Sequence, residues 1–546
     1  MQKVNKKTKK ESFMKGVLVL MVSQVLIKLL GLVYKLYLTN REGFGDEGNA
    51  IYSSGFQIYA LLLTLSSIGV PNAISKLVSE RVAVGDHKGA HRVFKIAFVT
   101  FGILGLMGTL ALFFGANYIA NVALQIPEAE LTLVALSPSI FFVAIASVVR
   151  GYFNGRQHLS VTARSQTLEQ VFKTTLTIVV VELVALIYGL NTTLMAAGAN
   201  LATTISIFLS FGYLFLYYRT TRKEIAQEIK STVNYKPERI KNIIKSILYV
   251  SIPISLSAIM TSLGKNIDSI TVVRGLKMFM TEQEAKIQYG ILSGKVDTLI
   301  TLPLSFNVAF ATALVPAIAS ARAKNDMSGA NKRVSSSLLI TMLIGLPCTF
   351  GMFVFAKPII ELLFPNATAG TILLQISAFT IIFSVLTQTI NGALQGLGKV
   401  IVPAISGAVG LIFKLILNII LIPNPNFGAN GAAIASVVNI VVAFFISYYV
   451  LIKNMKIDLT FSKFVIKPCI ATAIMCICSY YVYNVLVGIH PGRIATIISL
   501  LLAVIIYAIS VIILKIFNKE EIEMIPMGKK VYKVLQSIGI YGKNEQ

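Results

Sequence analysis

A helix needs about twenty consecutive apolar residues to cross the hydrocarbon of a bilayer, and this chain meets that requirement repeatedly. Such segments run approximately over 14–39, 51–78, 94–117, 131–153, 165–189, 194–218, 246–273, 287–320, 334–356, 371–397, 400–422, 429–452, 464–488 and 494–516, fourteen in all. With 55% apolar and 13% charged residues and a mean hydropathy of +0.75, the chain carries more apolar surface than an aqueous core of 546 residues can hide. A soluble enzyme is excluded, and the expected fold class is all-α integral membrane with fourteen transmembrane helices.

The net charge of +25 raises the question of nucleic acid, but Lys and Arg follow topology instead of forming an aromatic-interleaved patch. They concentrate in the amino terminus, the even-to-odd loops and the carboxyl tail, and are scarce in the opposite loops. That bias places both termini in the cytoplasm, which an even number of spans also requires. The first span follows Lys3, Lys6, Lys7, Lys9 and Lys10. Its apolar run is too long for a signal peptide and lacks a small-residue cleavage site, so it is expected to be retained. Cys348, Cys469, Cys476 and Cys478 all fall in apolar spans and are expected to pack as small hydrophobes. They identify no redox compartment.

The spans are organised by a duplication. Gly151-Tyr-Phe-Asn-Gly155 with Phe172-Lys173 recurs as Gly392-Ala-Leu-Gln-Gly396 with Phe413-Lys414 at a constant displacement, and Asp86-x-x-Gly89-Ala90-x-Arg92 recurs at Asp326-x-x-Gly329-Ala330. Val70-Pro71 reads as the counterpart of Val315-Pro316, and Gly198-Ala199-x-x-Ala202 as that of Gly431-Ala432-x-x-Ala435. Each repeat has six spans, an even number, so the two share one orientation and form parallel lobes around a central cavity. The expected organisation is an N-lobe over 1–218, a basic amphipathic surface linker over 219–245, a C-lobe over 246–453, two extra spans over 464–516 and a cytoplasmic tail over 517–546. The repeated glycines and the span prolines are either packing positions or hinges for lobe rocking.

Charge inside these spans carries the functional signal. Lys28, Lys35, Lys173, Lys265, Lys295 and Lys414 lie deep in apolar segments, whereas arginine is not expected there. A lysine facing lipid at that depth costs roughly 2.5–3.5 kcal/mol, so such residues normally face a bundle interior or an aqueous cavity. Lys28 and Lys35 are two turns apart on one face, with Gln24 extending the stripe. Lys265 has Asp268 three residues on, Lys295 has Asp297 nearby, and Lys173 has Glu169 four before it as the expected partner of a buried pair. Lys414 has only Asn418 within a turn. Snorkelling and structural pairing are the bland alternatives, yet a cavity with surplus ammonium groups attracts an anion. Substrate-binding candidates are therefore Lys28, Lys35, Lys265, Lys295, Gln24, Asp268 and Lys414. His87, His91, His158 and His490 fall in loops, with no metal-ligand spacing and no nucleotide-cradling glycine loop. No cofactor, metal or catalytic residue is expected, and transport would be driven by the membrane potential, a Na+ or H+ gradient, or the substrate gradient.

The whole pattern resembles the multidrug/oligosaccharidyl-lipid/polysaccharide exporter superfamily, and within it the lipid II flippase (MurJ-type) branch of Gram-positive bacteria. Two six-span lobes, two extra spans, Gly69-Val-Pro-Asn-Ala-Ile-Ser-Lys76, Leu302-Pro303 and Leu314-Val-Pro-Ala-Ile-Ala319 carry the likeness. The resemblance implies alternating access, an undecaprenyl-pyrophosphate-linked glycan as cargo, and spans thirteen and fourteen shaping a groove for its lipid tail. It also implies basic cavity residues in spans one, two and eight. Lys28, three residues before Gly31, and Lys295 fit the first and third, whereas span two between Ile51 and Pro71 has none. Lysine in place of arginine exchanges bidentate phosphate contacts for point charges. The alternatives are a flippase for another lipid-linked oligosaccharide or a sporulation-specific precursor, a cation-coupled drug exporter carrying free membrane carboxylates such as Glu182, and a scaffold for cell-wall synthases.

Overall fold

The computed structural model describes residues 13–64, 69–232, 235, 237–323, 325–457 and 460–517. The amino-terminal lysines before residue 13 and the tail beyond 517 lie outside these. The helices are α1 (Phe13–Asn40), α2 (Gly45–Thr64), α3 (Val70–Ala83), α4 (His87–Tyr118), α5 (Ala129–Gly155), α6 (Leu159–Tyr188), α7 (Thr192–Lys230), α8 (Ile240–Leu276) and α9 (Glu282–Gly290). They continue as α10 (Asp297–Ala323), α11 (Met327–Val354), α12 (Ala356–Leu363), α13 (Thr371–Gly396), α14 (Val402–Leu421), α15 (Ala429–Asn454), α16 (Lys467–Val487) and α17 (Gly492–Ile513). Wider π-helical turns occupy Ile119–Leu124, Ile291–Val296 and Ser462–Ile466. No strand occurs among the described residues, as expected where lipid obliges each backbone polar group to find its partner within its own segment.

Ten of these helices are long and apolar enough to cross a membrane, and they are the expected spans three to six and nine to fourteen. The segments of spans one, seven and eight are helical too, the described residues of span two fall in α2 and α3, and a count of fourteen crossings rests on the sequence. In the linker, residues 219–230 continue α7 without a break to Lys230. Of the four histidines, His87 and His91 belong to α4, which corrects their placement in loops.

The duplication is built into the packing. Asp86 caps α4 by accepting from the Gly89 amide at 2.7 Å, and Asp326 caps α11 by accepting from Gly329 at 2.8 Å. A methyl group on Gly151 would lie 2.8 Å from the Pro71 carbonyl oxygen, and one on Gly392 2.6 Å from that of Ala311. Gly155 and Gly396 press in the same way on the carbonyls of Ser75 and Val315. These glycines let helix backbones touch, the packing favoured in membranes where apolar side chains gain nothing by leaving lipid. The contacts also correct the register of the repeat. Pro71 answers Ala311 and Ser75 answers Val315, so Val70-Pro71 and Val315-Pro316 are not counterparts.

A polar contact between two repeated positions recurs in part. Arg150 Nε donates to Ser165 Oγ at 2.9 Å and its terminal nitrogen to Ser210 Oγ at 3.1 Å. Their counterparts Asn391 and Ser406 are joined through Ser447 Oγ, which lies 3.1 Å from Asn391 Oδ1 and 2.9 Å from Ser406 Oγ, one turn beyond the position that answers Ser210. Arg150 is buried inside α5, so the absence of arginine from the spans is overturned.

By compactness the chain divides into two units, residues 1–298 with 411–432, and residues 299–410 with 433–546. The first unit joins α8, the π-helical turn before α10, and most of α14 to the helices of the first repeat. Its apolar core is sealed by aromatic packing, with Phe94 4.5 Å from Tyr152 and Phe153 5.0 Å from Tyr217 between ring centroids. The second unit is cross-linked at its centre by Asn307, whose amide donates to the Val385 carbonyl at 2.8 Å, and by Thr341 against Thr389, also at 2.8 Å.

Candidate functional site: a lysine cluster with too few carboxylates

All six span lysines fall within the first unit, on α1, α6, α8, α14 and the π-helical turn at Ile291–Val296. The structure matches three of them, Lys265, Lys295 and Lys414, with carboxylates across helices, and the pairs differ from those suggested by sequence spacing. Lys265 on α8 meets Asp297 at 3.3 Å instead of Asp268. Asp268 meets Lys414 of α14 at 2.6 Å and also accepts from the Asn418 amide at 3.0 Å. Asn418 in turn donates to Thr271 Oγ1 at 2.8 Å. Lys295 is fully enclosed and reaches Asp46, at the start of α2, at 2.9 Å. Burying two opposite charges together removes most of the cost of burying either alone, which explains why these three lysines are tolerated.

The approach of α9 and the following turn to α2 is backbone-tight. A methyl on Gly290 would lie 1.8 Å from the Asp46 carbonyl oxygen, and one on Gly294 2.5 Å from the Asn49 side chain. The two glycines bring Lys295 within reach of Asp46, a residue just outside the apolar run of span two and overlooked in the sequence.

Lys28, Lys35 and Lys173 have no carboxylate partner among the described residues. Lys28 is exposed and close enough to Lys265 for mutual repulsion. Lys35 lies 3.4 Å from Asn49 Oδ1, 3.5 Å from Ser53 Oγ and 4.4 Å from the centroid of the Tyr52 ring. It is also within charge–charge range of Lys173, Lys265 and Asp297. Lys173 is buried with its ammonium 4.3 Å from the Phe56 ring centroid and 5.2 Å from that of Tyr34. Aromatic faces stabilise a desolvated cation without neutralising it. The expected Lys173–Glu169 pair is absent, because Glu169 is engaged by Arg150 at 2.7 Å. Gln24 is exposed and donates to Gln166 at 3.0 Å, on the edge of the cluster.

Six ammonium groups thus face three carboxylates. The other membrane acids are engaged elsewhere: Glu169 with Arg150, and Glu182 with Arg41 at 2.9 Å and with the Tyr37 hydroxyl. The residues missed in the sequence are Asp46, Asn49, Arg150 and Asp297 as an interhelical partner. Asn49 is buried at the start of α2, where it donates to Thr39 Oγ1 at 2.8 Å and flanks Lys35. No group of His, Cys, Asp and Glu able to hold a metal occurs among the described residues, and the four cysteines are free thiols.

Comparison with known proteins places the chain in a family. Residues 13–322 match the model of the polysaccharide biosynthesis protein family, and residues 295–420 match the MatE model. Stage V sporulation protein B of Bacillus subtilis (strain 168) is 27% identical over 95% of this chain and 98% of its own. Lipid II flippase MurJ of the same organism is 24% identical over 78% of this chain and 79% of its own. A solved structure of lipid II flippase MurJ in an inward closed conformation superposes with a TM-score of 0.68 at 16% identity, covering 91% of this chain and 99% of that one. The chain is a multi-pass membrane protein of the polysaccharide biosynthesis protein family, within the multidrug/oligosaccharidyl-lipid/polysaccharide exporter superfamily.

Proposed function

We propose that this protein is a flippase that carries a lipid-linked glycan precursor with an anionic diphosphate headgroup from the cytoplasmic to the outer leaflet, the peptidoglycan precursor lipid II being the first candidate. The observation that carries the reading is the surplus of positive charge: Lys28, Lys35 and Lys173 have no carboxylate partner among the described residues, beside three lysines that do. A multiply charged diphosphate supplies the missing negative charge, and the amides and hydroxyls of Gln24, Asn49 and Ser53 supply neutral contacts beside it. A cationic drug would meet repulsion. A proton- or sodium-coupled exporter would need a free membrane carboxylate, whereas Asp46, Asp268, Asp297, Glu169 and Glu182 are all engaged.

A second reading, a sporulation-specific peptidoglycan precursor, is favoured by the near full-length match to a sporulation protein, which spans more of the chain than the match to the lipid II flippase. In either case both termini are cytoplasmic, the membrane potential drives return of the empty, positively charged carrier, and α16 and α17 border the lipid tail. The experiment is complementation: with the native lipid II flippase depleted and this chain as sole replacement, labelled lipid II becomes accessible at the outer leaflet. Absence of labelling with normal membrane levels of protein would reject lipid II as the cargo and leave the sporulation precursor to be tested in the same format.

A further inference from the structure

A second site lies in the first unit, away from the lysine cluster. A cleft of about 330 Å³ opens between α4 and α5 on one side and α8 on the other, lined by Leu104, Gly105, Gly108, Ile140, Ile252 and Leu256 among others. The space exists because α4 is pulled onto α5 at its glycines. A methyl on Gly105 would lie 2.9 Å from Ala144 Cβ, and one on Gly108 3.1 Å from Ile140 Cγ2. Leu104, Ile252 and Leu256 are each more than 40% exposed, so the cleft opens sideways, toward the bilayer.

One end of the cleft is chemically different. Along α8, one turn beyond Leu248, it adjoins a recess of about 270 Å³ lined by Lys76, Leu77, Glu80, Lys245, Ser246 and Tyr249. Lys76 touches Glu80 only at 4.0 Å with both side chains more than half exposed, too loose to satisfy the ammonium. Lys245 and Tyr249 are exposed. An apolar slot that ends in two ammonium groups, one exposed carboxylate and a tyrosine keeps a net positive end, the polarity that suits an anionic amphiphile. The length agrees: from Lys245 to Ile259 α8 rises about 21 Å at 1.5 Å per residue, which spans one leaflet's share, about 15 Å, of a roughly 30 Å hydrocarbon layer together with its headgroup zone.

We propose that this cleft binds a membrane phospholipid with a net negative headgroup, its phosphate held between Lys76 and Lys245 and one acyl chain lying between α4 and α8. The Lys/Arg bias assigns that end to the cytoplasmic leaflet. The lipid fills the gap between α8 and the α4–α5 pair and so stabilises the first unit, independently of what the lysine cluster transports.

The test uses the full-length protein in nonionic detergent, titrated with phosphatidylglycerol or phosphatidylcholine of identical chains and read by thermal stabilisation and by bound lipid in native mass spectrometry. Two lysines near the surface predict roughly a thirtyfold preference for phosphatidylglycerol. The Lys76→Ala/Lys245→Ala double variant abolishes that preference, and Lys76→Arg/Lys245→Arg retains it. Ile252→Trp, at the exposed edge, weakens both lipids equally by blocking the chain. Equal affinity for the two lipids, an undiminished preference in the double alanine variant, or reproduction of the stabilisation by glycerol phosphate without chains would each overturn the site.

Discussion

Replacing Lys295 by methionine is the sharpest test of the charge arrangement. Lys295 is wholly enclosed and Asp46 nearly so, with 11% of its side chain exposed, and Asp46 Oδ1 is buried without a hydrogen-bond partner among the described residues. Burial already raises the Asp46 carboxyl above the usual range, with the Lys295 charge and hydrogen bond opposing it. Methionine fills the space of the lysine stem but leaves burial unopposed. Stranding one member of a buried pair costs about 3–5 kcal/mol. Asp46 has an escape, because taking up a proton from solution at pH 7 costs about 1.4 kcal/mol for each unit between pH 7 and an ordinary carboxyl pKa near 4, a ceiling of roughly 4 kcal/mol. The expected loss is therefore about 3–4 kcal/mol at pH 7. The same route fixes the sign with pH. In the variant the folded pKa of Asp46 lies further above its unfolded value, so the folded state binds the extra proton and the deficit shrinks as pH falls from 7 toward 5. Adding Asp46→Leu removes the stranded charge and recovers most of the loss at every pH. Equilibrium unfolding in detergent micelles, as a double-mutant cycle at pH 7 and pH 5, measures all of this. A single-variant loss below 1 kcal/mol, or a deficit that grows on acidification, would refute the pairing.

Lys28→Ala and Lys35→Ala, at one exposed and one partly exposed residue without carboxylate partners among the described residues, are expected to reduce precursor flipping about tenfold or more with unfolding midpoints unchanged or slightly raised by relief of repulsion, measured by outer-leaflet labelling together with thermal melts. Gly290→Ala drives a methyl against the Asp46 carbonyl and is expected to cost 1–3 kcal/mol or more by overpacking, whereas the same change at Gly212, which has open space, is expected to stabilise slightly. Asp86→Ala and Asp326→Ala each remove a side-chain cap and are expected to cost about 1 kcal/mol apiece. At the α9 end, burial disfavours the Lys286 ammonium, but hydrogen bonds to Glu128 and Glu282 outweigh it and its pKa rises. Hydrogen bonds from Lys277 and then Lys286 hold the Glu282 carboxyl below its usual range. The deficit of Lys286→Ala relative to the native protein is therefore flat through neutrality, fades as pH falls through the Glu282 titration, and fades again as pH rises through that of Lys286. Because both acids are about a third or more exposed, it stays near 1 kcal/mol in denaturation at low salt.

The helices were legible because lipid leaves the chain no alternative: a long apolar run must be a helix, and the cap residues Asp86 and Asp326 mark where two of them start. The duplication was legible where glycine forces backbone contact, at Gly151 and Gly392, and misread at Val70-Pro71, where a dipeptide match had no contact to fix its register. Ion pairing was largely illegible. Spacing of three or four residues sees only one helix, so it offered Asp268 to Lys265 and Glu169 to Lys173, while the structure gives these acids to Lys414 and Arg150 on other helices. Lys295 shows the reason most plainly. It sits in a π-helical turn, whose wider winding takes its side chain out of the 3.6-residue register and toward Asp46, 249 positions away in the chain.

The division between paired and unpaired lysines gives the cluster its working logic. Lys265, Lys295 and Lys414 are neutralised by acids on other helices, so these contacts hold α2, α8, α14 and the turn before α10 together and add little net field. Lys35 and Lys173 are steadied by aromatic rings, an amide and a hydroxyl, and Lys28 is exposed, which leaves the charge of all three available to an anion. Charge available in this way disfavours the empty state through repulsion of Lys35 by Lys173 and by Lys265 and is relieved when a diphosphate enters. If Lys173→Met raised stability in the absence of substrate while lowering transport, that repulsion would be measured directly. If it lowered both, Lys173 would belong with the structural pairs, and the positive surplus would fall to the two lysines of α1.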